Sequence, residues 1–303
     1  MSESRPGLRE YAFLVLLAAI WGASFMFTEL AIETIPPATT TILRVGLGAL
    51  TLLVIVRVIG QSLPRGRIWI WIFAAGFFGN ALPFTLIAWG QQQIDSGLAA
   101  ILMALMPLTT ILLAHALTDD EKMTPAKLMG VLFGLAGLVV LIGPSKLLLL
   151  GGETISQLAV AFAASCYGLN AIITKKLVHL PRRAMVASVL LAGFILLLPV
   201  SAISDQPWTL QPSWTSLWAI VVLGIFQTAL ATLMMMTLIS WQGASFFAQI
   251  NFLIPLFGVF WGALFLAERP SANAWLALVL ILIGIAITRG MVPFISNQNR
   301  TKA

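Results

Sequence analysis

Charge, cysteine and histidine are all scarce in this chain. Asp, Glu, Lys and Arg make up 9% of its 303 residues, while 59% are hydrophobic. A soluble domain carries about a quarter charged residues. A soluble globular fold is therefore excluded, and the apolar surplus belongs in a bilayer. The single cysteine, Cys166, rules out an intramolecular disulfide and a cysteine-built metal site. The two histidines and eleven acids show no metal-ligand spacing. There is no Gly-rich nucleotide loop and no serine triad. No metal, no cofactor and no enzymatic activity are expected, and ATP hydrolysis is not encoded here. A net charge of +6 would suggest nucleic acid in a soluble protein. In this chain it reads as Lys and Arg gathered in loops at one membrane face, with no nucleic-acid partner.

Ten apolar runs are long enough to cross roughly 30 Å of hydrocarbon at about 1.5 Å per residue. They are Tyr11–Glu33, Thr39–Ile59, Ile68–Gln91, Ser96–Leu117, Pro125–Gly143, Thr154–Leu177, Ala184–Ile203, Trp214–Ile239, Gly243–Ala267 and Ala272–Val292. Trp69, Trp71, Trp208, Trp214, Trp241 and Trp275 cluster near run ends, as an interfacial belt does. The first run is too long for a cleaved leader and is read as a true span. With the N-terminal side in the cytoplasm, the segments on that side hold fourteen of the 17 Lys and Arg. The opposite loops hold Lys146 and Arg269, and Arg44 falls inside the second span. This bias predicts a multi-pass protein of the inner (plasma) membrane with both termini cytoplasmic.

The second half repeats the first about 147 residues later. Ala18-Ala19-Ile20-Trp21-Gly22-Ala23-Ser24 has its echo in Ala164-Ser165-Cys166-Tyr167-Gly168-Leu169-Asn170, Pro107 in Pro255, and Gly137 in Gly284. Each half holds five spans, an odd number, so the halves must face opposite ways. The expected fold is an all-α integral membrane protein of ten transmembrane helices in two inverted five-helix repeats, residues 1–147 and 148–303. Inverted repeats with broken helices are the build of secondary transporters, whose site lies near mid-membrane where the repeats meet.

These residues resemble the drug/metabolite transporter superfamily and, within it, the ten-helix EamA-type transporters. The resemblance rests on Trp21-Gly22-Ala23-Ser24-Phe25, on Arg44, and on the block Ala99 to Gly137 with Pro107, Glu121 and Thr124-Pro125-Ala126. The echo block Ala244 to Gly284, with Pro255 and Glu268-Arg269-Pro270-Ser271, completes it. The resemblance covers nearly the whole chain and implies export or exchange of amino acids, other metabolites and some drugs. Among these proteins the chain is most similar to the YddG-type exporters of aromatic and other amino acids. One departure stands out: small multidrug members hold a carboxylate in mid first helix, where this chain has uncharged Ala18–Phe25.

Candidate site residues follow from polarity and aromaticity at depth. Polar groups in lipid are costly and face the interior. The expected substrate-binding set is Trp21, Ser24, Asn80, Phe84, Tyr167, Asn170, Gln227, Gln249 and Asn251. Pro83, Pro107 and Pro255 are expected as hinges, because proline removes a helix hydrogen bond and clashes one turn back. Glu29 and Arg44 lie at similar depth beside the first loop and are expected to pair, as a clamp, an outer gate or a carboxylate anchor on Arg44. The small-residue faces Gly130-x-x-x-Gly134 and Gly258-x-x-x-Gly262 suit packing within the chain or a dimer, with a monomer favoured.

A carrier of small organic solutes fits these features best, its partners being the solute and the bilayer. An exporter of amino acids, aromatic ones included, is the leading reading; a drug or other metabolite exchanger is the alternative. A channel would show charged rings or a carbonyl filter, and neither is visible. Mid-span Asp, Glu and His are absent, so facilitated diffusion or exchange is expected rather than tight proton antiport.

Overall fold

The computed structural model describes residues 6–118, 122–143 and 151–291. Glu121 and Lys146, named above, lie outside them. The described residues are helical almost throughout and form ten spans, the fold expected from the apolar runs. The first five are Leu8–Ile32, Pro37–Val58, Gly66–Gly90, Ser96–Leu117 and Pro125–Ile142. The sixth and seventh are Gly152–Leu177 and Arg182–Ser204. Trp214–Phe247 is a continuous helical stretch of 34 residues that contains a fold-back. At Gly243 the backbone takes φ 78° and ψ 171°, a left-handed region that only glycine enters at no steric cost. The eighth span therefore ends beside Gly243 and the ninth begins after it. The ninth continues as Ile250–Phe265, and the tenth is Ala272–Thr288.

Leu16, Leu50, Val54, Ile70, Phe162, Ile195, Phe260 and Val279 are exposed, the surface a hydrocarbon solvent requires. Inside, the spans pack in repeat-related pairs. The first lies on the ninth and the sixth on the fourth; the third meets the sixth and the eighth meets the first. The second packs on the eighth and the seventh on the third, while second–seventh and fifth–tenth are pairs of mates. This is the contact pattern of two inverted copies sharing one pseudo-twofold axis.

Glycine makes the closest approaches. A Cβ on Gly22 would fall 2.6 Å from Phe257 Cβ and 2.9 Å from Gly258 N; one on its mate Gly168 would fall 3.0 Å from Thr110 Cα. In the fifth–tenth seam, a Cβ on Gly130 would fall 2.5 Å from Gly284 O. Gly134 meets Leu108, Gly258 meets Ala100, and Gly262 meets Glu268 and Ser96. Both small-residue faces are thus filled from within the chain.

Four spans depart from regular α-helix. In the third, Phe77–Ala81 is π-helical, and in the eighth, Val222–Leu230 is. The two stretches occupy corresponding places in the repeats and carry Asn80 and Gln227. Pro83 follows the first stretch, where a wider turn relieves its clash; the second stretch has no proline. The fourth span is interrupted at Ala104–Leu105, whose N–H groups donate three residues back, to Ile101 O and Leu102 O. Pro107 begins the helix that follows, Met106–Leu117. The ninth is interrupted at Ala248–Gln249, but Ile250–Phe265 then runs unbroken through Pro255. The expectation that Pro255 marks the break in its span is corrected: the interruption falls before it.

At one face, which carries most of the Lys and Arg and is called the basic face below, the ends meet through apolar side chains. Leu14, Leu17, Leu238, Phe246 and Ile250 join the first, eighth and ninth spans. A separate cluster of Ile72, Ile173, Leu177 and Val189 joins the third, sixth and seventh. In a Cys166→Ala background, cysteines placed at Ser62 and Ser204 should react with an impermeant thiol reagent from opposite sides of the membrane. Labelling of both from one side in sealed vesicles would contradict the span count.

Candidate functional site

The interior is built where the π-helical stretches face their neighbours. Widening a helix to π geometry displaces its carbonyls from their usual partners, and in hydrocarbon each needs another. Trp21 Nε1 donates to Gln227 O at 3.1 Å, tying the first span to the π stretch of the eighth. The Trp21 ring also meets Phe247 edge-on at 6.0 Å. Thr228 Oγ1 donates within its own stretch to Leu223 O. The Gln227 side chain is 3% exposed, and its Oε1 has no hydrogen-bond partner. From the sixth span, Asn170 abuts Gly79 of the third span's π stretch, and its Oδ1 is also buried without a partner.

Beside this lies an aromatic and cationic group. Arg44 is 8% exposed. Its Nε donates to Thr228 Oγ1 at 3.1 Å, and its Cζ stands 3.9 Å from the centroid of Phe84. Phe84 in turn meets Tyr167 at 6.3 Å and 61°. The expected partnership of Glu29 with Arg44 is corrected here. Glu29 Oε2 instead accepts from Gln91 Nε2 at 3.0 Å, and the same nitrogen donates to Phe25 O. Equal depth does not fix direction: the two side chains leave their helices at different azimuths.

The remaining candidates are placed less centrally. Ser24 turns its hydroxyl back to Trp21 O of its own helix, at 2.7 Å. Asn80 Cβ faces Gly193 of the seventh span. Gln249 and Asn251 lie at the interruption of the ninth span, where Asn251 Nδ2 donates to Ala248 O. The structure therefore brings together Trp21 with Gln227, and Arg44 with Phe84 and Tyr167. It does not bring Glu29 into that group.

The EamA-like transporter family matches residues 8–143 and 154–290. The chain belongs to that family. An EamA-like relative from Bacillus subtilis (strain 168), "Uncharacterized transporter YoaV", is 25% identical over 90% of this chain and 94% of its own. "Protein PagO" of Salmonella typhimurium is 28% identical over 90% of each chain. An Escherichia coli (strain K12) protein named "Probable amino-acid metabolite efflux pump" is 26% identical, over 90% of this chain and 92% of its own. One solved crystal structure, 21% identical, superposes with a TM-score of 0.64 over 92% of this chain and 97% of that one, which shows the fold.

In this EamA-like chain the face opposite the basic one is fastened by hydrogen bonds that sequence reasoning missed. Thr34 Oγ1 donates to Ser216 Oγ at 2.8 Å, and Ser216 Oγ to Leu30 O. Asp205 accepts from Thr39 N and Thr39 Oγ1 at 2.7 and 2.9 Å. Glu268 accepts from Ser96 N, Ser96 Oγ and Gly97 N, capping the fourth span from the loop before the tenth. Of these, only Glu268 carried a signal in the sequence, through the repeated acidic-proline motif. A cavity of about 470 Å³ opens there, lined by Asp95, Glu153, Gln157, Glu268 and Arg269 among others. None of the expected substrate residues lines it.

Two outcomes follow. Glu29→Gln and Arg44→Gln should have independent effects on unfolding, additive within about 0.5 kcal/mol in a double-mutant cycle, as for residues that share no partner; a larger coupling would restore the pair. Asp95 is pushed above the usual carboxylate range by burial, then by Glu268 and Glu153. A raised value in the folded state favours the protonated form. The associated stability is present below the ordinary carboxylate value and is lost as pH rises through the elevated one. Asp95 makes no side-chain cap bond, so Asp95→Asn removes the charge without removing a cap and should raise the melting temperature at pH 7, with the gain shrinking toward pH 4. An equal gain at both would mean that charge is not the cause.

Proposed function

We propose that this EamA-like transporter exports amino acids and related metabolites across the inner membrane, with both termini in the cytoplasm, by alternating access. The observation that carries the reading is the pair of repeat-related π-helical stretches. They place Gln227 and Asn80 at corresponding depths, and the orphan acceptors Gln227 Oε1 and Asn170 Oδ1 lie on or against them. Both acceptors are enclosed in this conformation, so each gains a donor only when neighbouring spans move, which supports an interior that rearranges. Trp21, Phe84 and Tyr167 supply apolar surface for a side chain. Met234 and Met235, packed beside Trp21, adapt to several shapes. The efflux-pump name of the Escherichia coli relative supports amino-acid metabolites as cargo.

The described conformation supports a cycle as well. It is fastened at the face opposite the basic one and held at the basic face by two separate apolar clusters. Alternating access requires the Thr34–Ser216, Thr39–Asp205 and Ser96–Glu268 contacts to part.

The test is counterflow in proteoliposomes loaded with a panel of unlabelled amino acids. Saturable, trans-stimulated uptake of at least one labelled amino acid is expected. An imposed pH gradient without a substrate gradient should drive no accumulation. A panel without counterflow would sink the amino-acid reading. Uphill accumulation abolished by a protonophore would sink the uncoupled mechanism and direct attention to Glu29.

A further inference from the structure

We infer that Arg44 is the anchor for a carboxylate on the transported solute. The inference deepens the transporter reading above and rests on it. An arginine keeps its charge at neutral pH and presents five N–H donors in a planar fork. Arg44 is 8% exposed, within the membrane-spanning part of the second helix, and has no carboxylate partner among the described residues. Among the described residues, its Nε is its only nitrogen that donates to a protein acceptor, namely Thr228 Oγ1. Glu29, Asp205 and Glu268 are engaged elsewhere: Glu29 with Gln91, Asp205 with Thr39, Glu268 with Ser96 and Gly97. The terminal nitrogens are not among the fully enclosed polar atoms, so they are not sealed from water.

A charge inside a membrane is kept where it pairs, lines a water-filled cavity or marks a substrate path. Pairing is not what holds Arg44. Nor does repeat packing require it: the matching place in the seventh span is apolar, at Leu190–Leu191.

The geometry also gives the chemistry. Phe84 occupies one face of the guanidinium at 3.9 Å, and Thr228 occupies the Nε edge. The edge formed by the two terminal nitrogens remains. Two parallel N–H donors in one plane match a carboxylate. The Phe84–Tyr167 pair beneath orients the guanidinium and offers the solute an apolar floor. Gln227 Oε1 and Asn170 Oδ1 are enclosed in this conformation and form no part of the anchor. A single planar anchor for an anion is the complement of a carboxylate, the group every amino acid carries.

The experiment has two arms. In the first, the wild-type protein in detergent is treated with phenylglyoxal, which reacts with accessible guanidinium groups, and the Arg44 adduct is quantified by mass spectrometry. The probes are acetate, 3-phenylpropionate and L-phenylalanine, each against its amide. Modification of Arg44, slowed by at least one acid and not by its amide, is the expected result. No modification, or equal protection by acid and amide, overturns the anchor. Protection by 3-phenylpropionate without protection or counterflow by L-phenylalanine keeps the anchor and removes the amino-acid reading. In the second arm, Arg44→Lys keeps a charge but loses the fork, so the affinity of carboxylate ligands in counterflow should fall roughly tenfold or more while that of the amides holds. Unchanged affinity for the acids would leave the transporter reading standing and remove Arg44 from the site.

Discussion

Hydrocarbon offers a backbone carbonyl nothing to bond with, and this constraint shapes the rest of the molecule. A span can leave α-helical geometry only where other groups of the protein, or water in a cavity, take over the freed positions. Trp21 does this at Gln227 O, in the π stretch of the eighth span. Trp261, Gln91 and Thr109 add cross-span bonds to Ala19 O, Phe25 O and Ala164 O of regular helices. Each bond both satisfies an acceptor and fixes one span against another. The irregular helices and the interior are therefore one construction. The π stretches leave polar groups facing inward, and the neighbouring spans bring the donors.

The repeats supply a symmetric frame on which asymmetric chemistry is placed. Close approaches at Gly22 and Gly168 are mates, as are the π stretches of the third and eighth spans. Arg44 and Thr228 have no counterparts of like chemistry. Trp21 faces Tyr167 as its mate in sequence, yet the first bonds a carbonyl and the second meets Phe84. Symmetry of the backbone gives two matched halves, and asymmetry of the side chains gives their interior different chemistry on each side.

Much of this was legible in the sequence, for physical reasons that can be named. Spans are written in long apolar runs because lipid demands them, so all ten were found. The fold-back between the eighth and ninth was marked by Gly243, which alone tolerates its φ. Direction around a helix axis is different. Glu29 and Arg44 were matched by depth, but each residue turns the side chain by about 100°, and depth says nothing about azimuth. Tertiary context produced the other misses. Asp205 and Gln91 are unremarkable in sequence and become specific only when Thr39 and Glu29 are folded against them. The π stretch of the eighth span has no proline to announce it. Pro255 looked like a break and is carried within a helix.

The fastening at the face opposite the basic one has a thermal consequence. Its contacts are between hydroxyls, carboxylates and backbone N–H groups at the water boundary, so parting them exchanges protein hydrogen bonds for water with little apolar surface exposed. Such a step carries a small change in heat capacity. The basic face is different in kind: its Leu14–Leu238–Phe246 and Ile72–Leu177–Val189 clusters are apolar, and any change in their burial changes the heat capacity. In the proposed alternating-access cycle the two faces thus respond to temperature along different curves, and temperature as well as solute sets the balance between states.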